Sequence, residues 1–555
     1  MLESADVFRS LFPRLAGCPD RRYQQNDQPW SARPVTSKPV NRSDRATRPQ
    51  IDGLVLAVSL GVTVIGSAML FLFEGKGVEI INALFHWTTT RLGQVFIHAG
   101  MIAPAFLLLL ALSPFRRLRL GPEGEPPQHS TISWAGMIFS TGIGTTVLYW
   151  GTIEWIGYVQ APPFEAPSDR AKEWAMSYGM FHWGLVGWAF YALPAVCLSF
   201  AYHIRQAPSP SLAQACAPVL KHRVTTWPGR SINAIFMIGL IGSASTGIGL
   251  TTPLMTESVV AFFGLERSFT FTLLVVILII ALISISVSMG LERGIKRLSN
   301  LNLSLAFLLL GFVYLAGPTE EITRQGLRSI LFMVTHFPEM IGWYYPEQNK
   351  GFTEQWTVFY WAWWIAFAPF VGLFICKISR GRTMGQLIWG VLLFGTLGCT
   401  LCFVILGGYA SFLEDQTHLA LIDTFADNPH AAVIQVITSL PLGKWILPLF
   451  FLLCLSFAAT TYDSASYTLA AAGTARLPVD QDPARGHRVL WAIALGILPL
   501  AILSLGQKND VLVALQTASV VVAVPMIVVT LLMVFSLLLD VRKHGVSTRR
   551  LLEDN

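Results

Sequence analysis

Long apolar segments alternate with short polar loops along the whole chain. Each apolar segment reaches the roughly 20 residues that a helix needs to cross the hydrocarbon core of a bilayer, and several are long enough to imply tilt or a break. The pattern predicts a polytopic membrane protein with about twelve spanning helices. These lie near residues 51–73, 93–115, 131–157, 176–203, 230–263, 268–290, 298–317, 354–378, 386–411, 444–475, 487–505 and 511–540.

Composition supports the same class. The chain has 555 residues, of which 53% are hydrophobic and only 13% are charged, and its mean hydropathy is +0.54. These values are too apolar for a soluble protein of this length and indicate an all-α membrane protein. Of the seven cysteines, Cys399 and Cys402 form a CxxC. Because this pair lies in an apolar span without a second pair or a His cluster nearby, a metal or redox site is not favoured.

Basic residues are concentrated in alternate loops. Lys and Arg precede the first span and follow every second span after it, whereas the loop 412–430 has acidic residues and no Lys or Arg. Basic loops tend to stay in the cytoplasm, so both termini are predicted to be cytoplasmic. Residues 1–50 are polar and lack an apolar signal region. We expect a disordered tail there, a membrane domain at 51–540 and a short tail at 541–555.

Two spans are interrupted by polar residues. Residues 140–146 of the third span read STGIGTT, a stretch that can unwind and present amides and carbonyls at mid-membrane depth; a close helix contact through small residues is the alternative. Residues 456–466 of the tenth span read SFAATTYDSAS, whose hydroxyls suit a small alkali cation. Two intramembrane acids, Glu154 and Asp463, have either a structural or a proton-carrying role.

Aromatic residues are dense in the eighth span. Residues 356–364 read WTVFYWAWW, and Tyr360, Trp363, Trp364 and Phe367 share one face of a helix. The fourth span adds rings at Trp183, Trp188 and Tyr191, beside His182. Such rings form an interfacial belt or ordinary core packing, or they cage a cation that has no N–H to donate, such as a quaternary ammonium. From ring density alone, the belt and core packing are favoured.

These segments together resemble the betaine/carnitine/choline transporter family. Residues 356–383, WTVFYWAWWIAFAPFVGLFICKISRGRT, match its signature, and residues 136–155, 180–184 and 460–470 are also similar. The resemblance covers roughly residues 50–540 and reverses the preference for a belt. It implies a leucine-transporter-like core of two inverted repeats, spans 3–7 and 8–12, after two preceding helices. It also implies a homotrimer.

The resemblance implies a set of site residues. A central substrate site would contain Trp183, Trp188, Tyr191, Trp363, Trp364 and Phe367, with the backbone at Gly142 and Gly144, and an outer transient site would contain Trp356. One sodium site would involve Ser140, Ile143, Phe457, Thr460 and Thr461. The other would involve Phe370 and a hydroxyl of the fifth span, for which the candidates are Ser243, Ser245 and Thr246.

Some positions depart from the family pattern. Thr146 stands where betaine importers commonly have a third glycine, and Phe367 stands where a Trp or Tyr is frequent. The region after Thr146 is similar to the carnitine/γ-butyrobetaine antiporter branch, but Gly157 replaces the extra tyrosine of that branch. Asn302 and Val371 stand where the antiporter has a positive side chain and a methionine in place of sodium. Sodium-coupled import is therefore favoured over sodium-independent exchange.

Other functional classes are weaker interpretations. The chain has no HExxH, Walker A or GxSxG motif, so neither an enzyme nor an ATP-driven pump is expected. A channel would need a continuous polar pore, and a membrane sensor would be expected to carry a longer charged tail. We expect no cofactor, sodium as the coupling ion, a location in the inner membrane, and a substrate among glycine betaine, carnitine, choline and dimethylsulfoniopropionate.

Overall fold

A computed structural model of the chain describes residues 49–72, 74–122, 124–142, 144–289, 292–342, 349–417, 419–477, 481–505 and 508–543. Helices account for most of this length. The helices of ten or more residues are α1 (Gly53–Leu72), α2 (Glu74–Leu112), α3 (Thr131–Gly142), α4 (Thr145–Gln160), α5 (Ser168–His182), α6 (Leu185–Ser199), α7 (Trp227–Phe263), α8 (Phe269–Met289), α9 (Glu292–Ala316), α10 (Thr319–Thr335), α11 (Val358–Ile378), α12 (Met384–Cys402), α13 (Gly408–Thr417), α14 (Pro429–Thr438), α15 (Gly443–Ala472), α16 (Arg485–Leu503) and α17 (Lys508–Lys543).

Shorter elements connect these helices. Three π-helical turns extend or join them, at Phe200–Ile204, Thr353–Thr357 and Phe403–Gly407. The remaining turns are short α- or 3₁₀-helices: Pro114–Arg117, Pro163–Glu165, Leu212–Ala215, Ala217–Leu220, Lys221–Thr225, Phe337–Met340, Lys350–Phe352 and Leu421–Asp427. Strand β1 (Gln50–Ile51) pairs antiparallel with β2 (Thr474–Arg476), so an ordered structure begins at the end of the predicted tail. The rest of that tail lies outside the described residues.

The helices confirm the all-α polytopic class. Within the described residues, ten helical segments are long and apolar enough to cross a membrane, and α9 with α10 forms a further pair that is bent by 109°. The third predicted span, 131–157, is divided between α3 and α4, which have 12 and 16 residues. A break there agrees with the prediction from its glycines. The count of twelve spans and the inverted repeat stay predictions.

The centre of the molecule is formed by α5 with α6, by α7 and by α11. In their most apolar windows, 94%, 89% and 78% of the residues are buried, compared with 28% in α1 and 33% in α8. α6 packs along α11, and α7 packs against α15 and α17. The peripheral helices α1 and α8 therefore expose apolar faces suited to lipid, while the central helices enclose the candidate site.

The described cysteines are all buried thiols: Cys197, Cys216, Cys376, Cys399, Cys402 and Cys454. The CxxC pair lies in the last turn of α12. Within the described part of the chain, no group of three or more His, Cys, Asp or Glu side chains is arranged to hold a metal ion. These thiols therefore behave as small apolar core residues.

Candidate functional site

A cavity lies where the break between α3 and α4 meets α6, α7, α11 and α15, and with the open space at its mouth it encloses about 660 Å³. Its walls are made of aromatic, hydroxyl and small residues, and none of the described residues that line it is charged. Such a lining suits a ligand whose cationic charge is recognised by ring faces.

The cavity brings together many of the residues expected from the sequence. Nine of them line it: Gly144, Trp183, Tyr191, Ser243, Trp363, Trp364, Phe367, Phe457 and Thr461. Others lie in the surrounding helices outside the lining: Ser140, Gly142, Glu154, Trp188, Thr246, Trp356, Phe370, Thr460 and Asp463. Ile143 lies outside the described residues.

Trp364 is the centre of the aromatic wall. Its ring centroid lies 4.4 Å from that of Tyr191 and 5.7 Å from that of Trp183. Trp183 also meets Trp363 edge to face at 5.8 Å, and the Trp363 Nε1–H donates to the carbonyl oxygen of Ser243 at 3.2 Å. The three tryptophans are thus oriented by one another and by a backbone acceptor on α7.

Two glycines make room for this wall. A Cβ built on Gly187 would lie 2.5 Å from the nearest atom of the Trp364 ring, and one on Gly395 would lie 2.0 Å from the Trp188 ring. Trp188 does not line the cavity; it is fully buried behind it, with its ring 5.7 Å from that of Trp364. In this structure Trp188 supports Trp364 from behind, and its contact with a substrate stays a prediction.

The break between α3 and α4 opens onto the cavity. Gly144, the N-cap of α4, has an extended backbone (φ −108°, ψ −172°) and no side chain to cap the first turn. Thr145 and Thr146 continue the lining, and the Thr145 hydroxyl donates to the carbonyl oxygen of Cys454 at 3.2 Å. The positive end of the α4 dipole and two threonines thus lie at one side of the cavity.

The residues expected for one sodium site are only partly assembled. Phe457 and Thr461 line the cavity. The Thr460 hydroxyl instead donates to backbone carbonyls of its own helix and accepts from the Asn302 Nδ2 amide at 3.3 Å. Asn302 also accepts a hydrogen bond from the Ser456 hydroxyl. An amide from α9 therefore occupies the side of α15 that carries Thr460.

The hydroxyls of the candidates for the other sodium site are hydrogen-bonded to protein groups. The Thr246 hydroxyl bonds to α17, with the carbonyl oxygen of Leu515 at 2.7 Å and the hydroxyl of Ser519 at 2.8 Å. Ser243 lines the cavity, but its hydroxyl donates to Gly239 O at 2.7 Å. The Ser245 hydroxyl likewise donates within its own helix. The Phe370 ring packs against Phe367, at 5.0 Å.

Tyr360 and Trp356 do not share the cavity with the other rings of α11. The Tyr360 hydroxyl donates to the buried carboxyl group of Glu154 at 2.7 Å. Tyr360 is therefore separated from Trp363, Trp364 and Phe367, with which it shares one predicted helix face. Trp356 is in the π turn before α11, and its ring meets Trp150 at 5.9 Å and Tyr158 at 4.9 Å, edge to face. These rings form a second aromatic cluster beyond the cavity.

The two intramembrane acids have different surroundings. Glu154 is fully buried, with hydrogen-bond donors from three side chains around it. Asp463 is on α15, away from the cavity, hydrogen-bonded with Ser286 and facing Arg488. Asp463 therefore belongs to the packing of α8, α15 and α16.

Several lining residues were missed at the level of the sequence. Thr141, Ala244, Gly247, Thr251, Ala458 and Tyr462 also face the cavity. Thr141, Ala458 and Tyr462 lie inside the two polar interruptions of the third and tenth spans, and that position is the signal that could have indicated them. Thr251 and Gly247 lie on α7, a long apolar helix whose Gly, Ser and Thr residues are too numerous to single out any one.

Known proteins similar to this chain are membrane transporters. Residues 54–546 match the family model described as BCCT, betaine/carnitine/choline family transporter. An uncharacterized transporter of Escherichia coli (strain K12), YeaV, is 34% identical over 439 residues, which cover 78% of this chain and 90% of the relative. A carnitine transporter of Acinetobacter baumannii is 29% identical over 502 residues, covering 90% of each protein.

Proposed function

Because the chain belongs to the betaine/carnitine/choline transporter family, we propose that the uncharged aromatic cavity is where it binds a quaternary ammonium substrate. One observation carries this assignment: Trp183, Trp363 and Trp364 meet Tyr191 and Phe367 around one space. The chain is a transporter and not an enzyme, so the cavity is a binding site that opens to one side of the membrane and then to the other.

The chemistry of the head group fits these walls. A trimethylammonium spreads its charge over methyl groups and offers no N–H to a hydrogen-bond acceptor. Each ring face attracts it by about 2 kcal/mol when water is excluded. Several rings together offset the loss of its hydration, and they reject cations that hold water more tightly.

Carnitine or a similar zwitterion is the substrate we favour. Its carboxylate would be bound by the first turn of α4, where Thr146 supplies a hydroxyl and the helix dipole is positive. The carnitine transporter of Acinetobacter baumannii, which this chain matches over 90% of its length, supports the choice. The substrate site would thus bridge the broken helix and α11.

We further propose that sodium drives uptake. Phe457 and Thr461 of α15 line the cavity together with Thr141 and Thr145 of the broken helix, so an ion there would join these two elements. An ion there would favour one access state, and coupling follows when the substrate favours the same state.

A second candidate is sodium-independent exchange, which one contact favours. The Asn302 amide donates to Thr460 and accepts from Ser456, so a neutral side chain bridges hydroxyls that would otherwise be available to an ion. In that mechanism, substrate on the opposite side of the membrane replaces the ion as the driving force.

Radiolabelled uptake into proteoliposomes tests both. The full chain is reconstituted into proteoliposomes that are prepared with or without internal substrate. Uptake of carnitine, glycine betaine and choline is then measured with and without an inward sodium gradient. Uptake that follows the gradient supports symport. Uptake that ignores sodium and requires internal substrate identifies exchange, and absence of uptake of every quaternary ammonium contradicts the assignment of the cavity.

We also propose a bacterial inner-membrane location with cytoplasmic termini and a trimeric assembly. The orientation rests on the alternation of basic loops, and the location on the bacterial transporters that the chain resembles. A channel is disfavoured, because the described residues that line the cavity are aromatic, hydroxyl-bearing or small and none of them is charged, unlike the charged rings of many ion pores. A sensor that does not transport is disfavoured, because the chain belongs to a family of transporters.

A further inference from the structure

A buried tyrosine hydroxyl lies at the cavity wall. Tyr462 lines the cavity, and only 6% of its surface is exposed. Its hydroxyl forms no hydrogen bond with any residue in the described part of the chain. Buried tyrosine hydroxyls usually have a partner, because an unpaired O–H group has lost its hydrogen bonds to water. A hydroxyl of this kind in the wall of a binding cavity is therefore available to a ligand.

A glycine on the neighbouring helix makes room for this hydroxyl. A Cβ built on Gly247 of α7 would lie 2.5 Å from the Tyr462 hydroxyl oxygen, so any other residue there would occupy the space of that oxygen. The Thr146 methyl carbon lies 4.0 Å from the same Cβ position. Residues of α4, α7 and α15 therefore converge at one part of the wall, next to the positive end of the α4 dipole.

The aromatic wall and this hydroxyl contact the same helix at successive turns. The Trp363 Nε1–H donates to the carbonyl oxygen of Ser243 on α7. Gly247, beside the Tyr462 hydroxyl, comes four residues later, which is about one turn of that helix. One ligand can therefore contact the rings with its head group and the hydroxyl with its other end.

We propose that Tyr462 determines specificity by donating a hydrogen bond to the carboxylate of a zwitterionic substrate whose trimethylammonium group is bound by the tryptophan rings. The inference rests on the proposed function, because it concerns the same cavity. Thr146 and the first turn of α4 would share the carboxylate with Tyr462. Hydrogen bonds to an ionised acceptor are roughly twice as strong as neutral ones. A cation without a carboxylate leaves the hydroxyl unpaired, so the site selects zwitterions over simple alkylammonium ions.

The test compares ligands that differ in one group. Binding of carnitine, γ-butyrobetaine and butyltrimethylammonium, in which a methyl group replaces the carboxylate of γ-butyrobetaine, is measured by isothermal titration calorimetry on the purified full chain and on Y462F. The variant should raise the Kd of both zwitterions about tenfold and change that of butyltrimethylammonium by less than about twofold. The control Y409F removes another buried tyrosine hydroxyl, bonded to Ser439 outside the cavity, and should leave all three affinities unchanged.

Gly247→Ala tests the same hydroxyl from the opposite helix. The added methyl group would displace the Tyr462 oxygen, so this variant should also weaken both zwitterions more than butyltrimethylammonium. In Y462F that oxygen is absent, and the ring carbon Cζ lies 3.7 Å from the built Cβ, which is an ordinary contact. Adding Gly247→Ala to Y462F should therefore weaken the zwitterions little further.

The possible outcomes separate the inference from the proposed function. An equal loss for all three ligands in Y462F, or unchanged affinities for the zwitterions, would overturn the inference and leave the assignment of the cavity standing. Additive losses in the double variant would also count against it. Where Y462F does not fold, Gly247→Ala alone must show the selective loss of zwitterions. If the wild type binds none of the three ligands, the proposed function itself fails.

Discussion

At the scale of single residues, the cavity assigns different tasks to aromatic side chains that look equivalent in the sequence. Trp364, Trp363 and Trp183 line the cavity in which we propose that the ligand binds, while Trp188 supports Trp364 from behind. Tyr360 binds Glu154 through its hydroxyl. Because only the rings that line the cavity can touch a cation, substitutions at these positions should differ sharply in effect.

Replacing Trp364 by leucine should weaken binding more than any other ring deletion in α11. The change removes the ring that contacts both Tyr191 and Trp183. Loss of one desolvated cation–π contact of about 2 kcal/mol corresponds to a roughly 30-fold rise in Kd. Isothermal titration calorimetry with the substrate of highest affinity measures this Kd. Trp445→Leu, at a ring that is 70% exposed on the molecular surface, is the control; equal affinity in the two variants would contradict the cation cage.

A tyrosine at position 367 should change which substrate is preferred. Phe367 lines the cavity, with its ring 6.5 Å from that of Tyr191. Phe367→Tyr keeps the ring and adds one hydroxyl that can bond to a hydroxyl or carboxylate of the ligand. We expect the affinities for carnitine, glycine betaine and choline to change relative to one another by about threefold to tenfold. Competition against one radiolabelled substrate gives the ranking, and an identical ranking in the two proteins would contradict the prediction.

At the scale of elements, the wall of the cavity depends on how closely helices approach one another. α6 and α11 are in contact along most of their lengths, and Gly187 of α6 lies under the Trp364 ring of α11. The helix break that carries Gly144 contributes the other side. Small residues thus place the aromatic ones, because a Cβ at such a contact would occupy the space of a ring.

Gly187→Ala should damage the site without removing any ligand contact. The added methyl group would lie 2.5 Å from the Trp364 ring, which must move. A displaced ring should raise the substrate Kd by about tenfold or more, since overpacking of a buried contact typically costs 1–3 kcal/mol. Gly311→Ala is the matched control, because a Cβ there meets no atom within 4 Å. Equal substrate affinities in the two variants would contradict the role of Gly187.

Sequence patterns predicted elements better than they predicted side-chain tasks. The apolar segments and the glycines of the third span were sufficient for the helices and for the break. Residue spacing could not predict that Trp364 lines the cavity while Trp188 lies behind it, because these positions depend on Gly187 and Gly395 in neighbouring helices. The contact of Asn302 with Thr460 could not be predicted either, because the two residues are 158 positions apart in the sequence.

At the scale of the whole molecule, transport requires that the cavity open alternately to the two sides. Its walls come from both halves of the chain: α4 and α7 precede the bent pair α9–α10, and α11 and α15 follow it. A ligand that contacts both halves can therefore bias their relative arrangement. An ion near Phe457 and Thr461 would act on the same junction, which is why coupling should be sensitive to α15.

Thr461→Val should weaken sodium-driven uptake if the symport proposal is right. The substitution keeps the shape of the side chain and removes an oxygen that faces the cavity. Uptake under a sodium gradient should then need about tenfold more sodium for half-maximal rate, since one lost ligand to a charged group is worth about 1.5 kcal/mol or more. Thr468→Val, on the same helix with its hydroxyl bonded to Ser464 O, should leave the sodium requirement unchanged. A sodium requirement that is the same in wild type and Thr461→Val would favour exchange.

Because the six described cysteines are buried, the described part of the membrane domain should react very little with thiol reagents. A polar maleimide added to intact cells reaches none of them, and Cys18, outside the described residues, is removed by one substitution. Single cysteines can then be introduced as reporters: one in place of Asp415 should be labelled from outside, and one in place of Glu125 should be labelled after the membrane is opened. Fluorophores attached at such positions would follow the opening of the cavity in real time, without re-engineering the core.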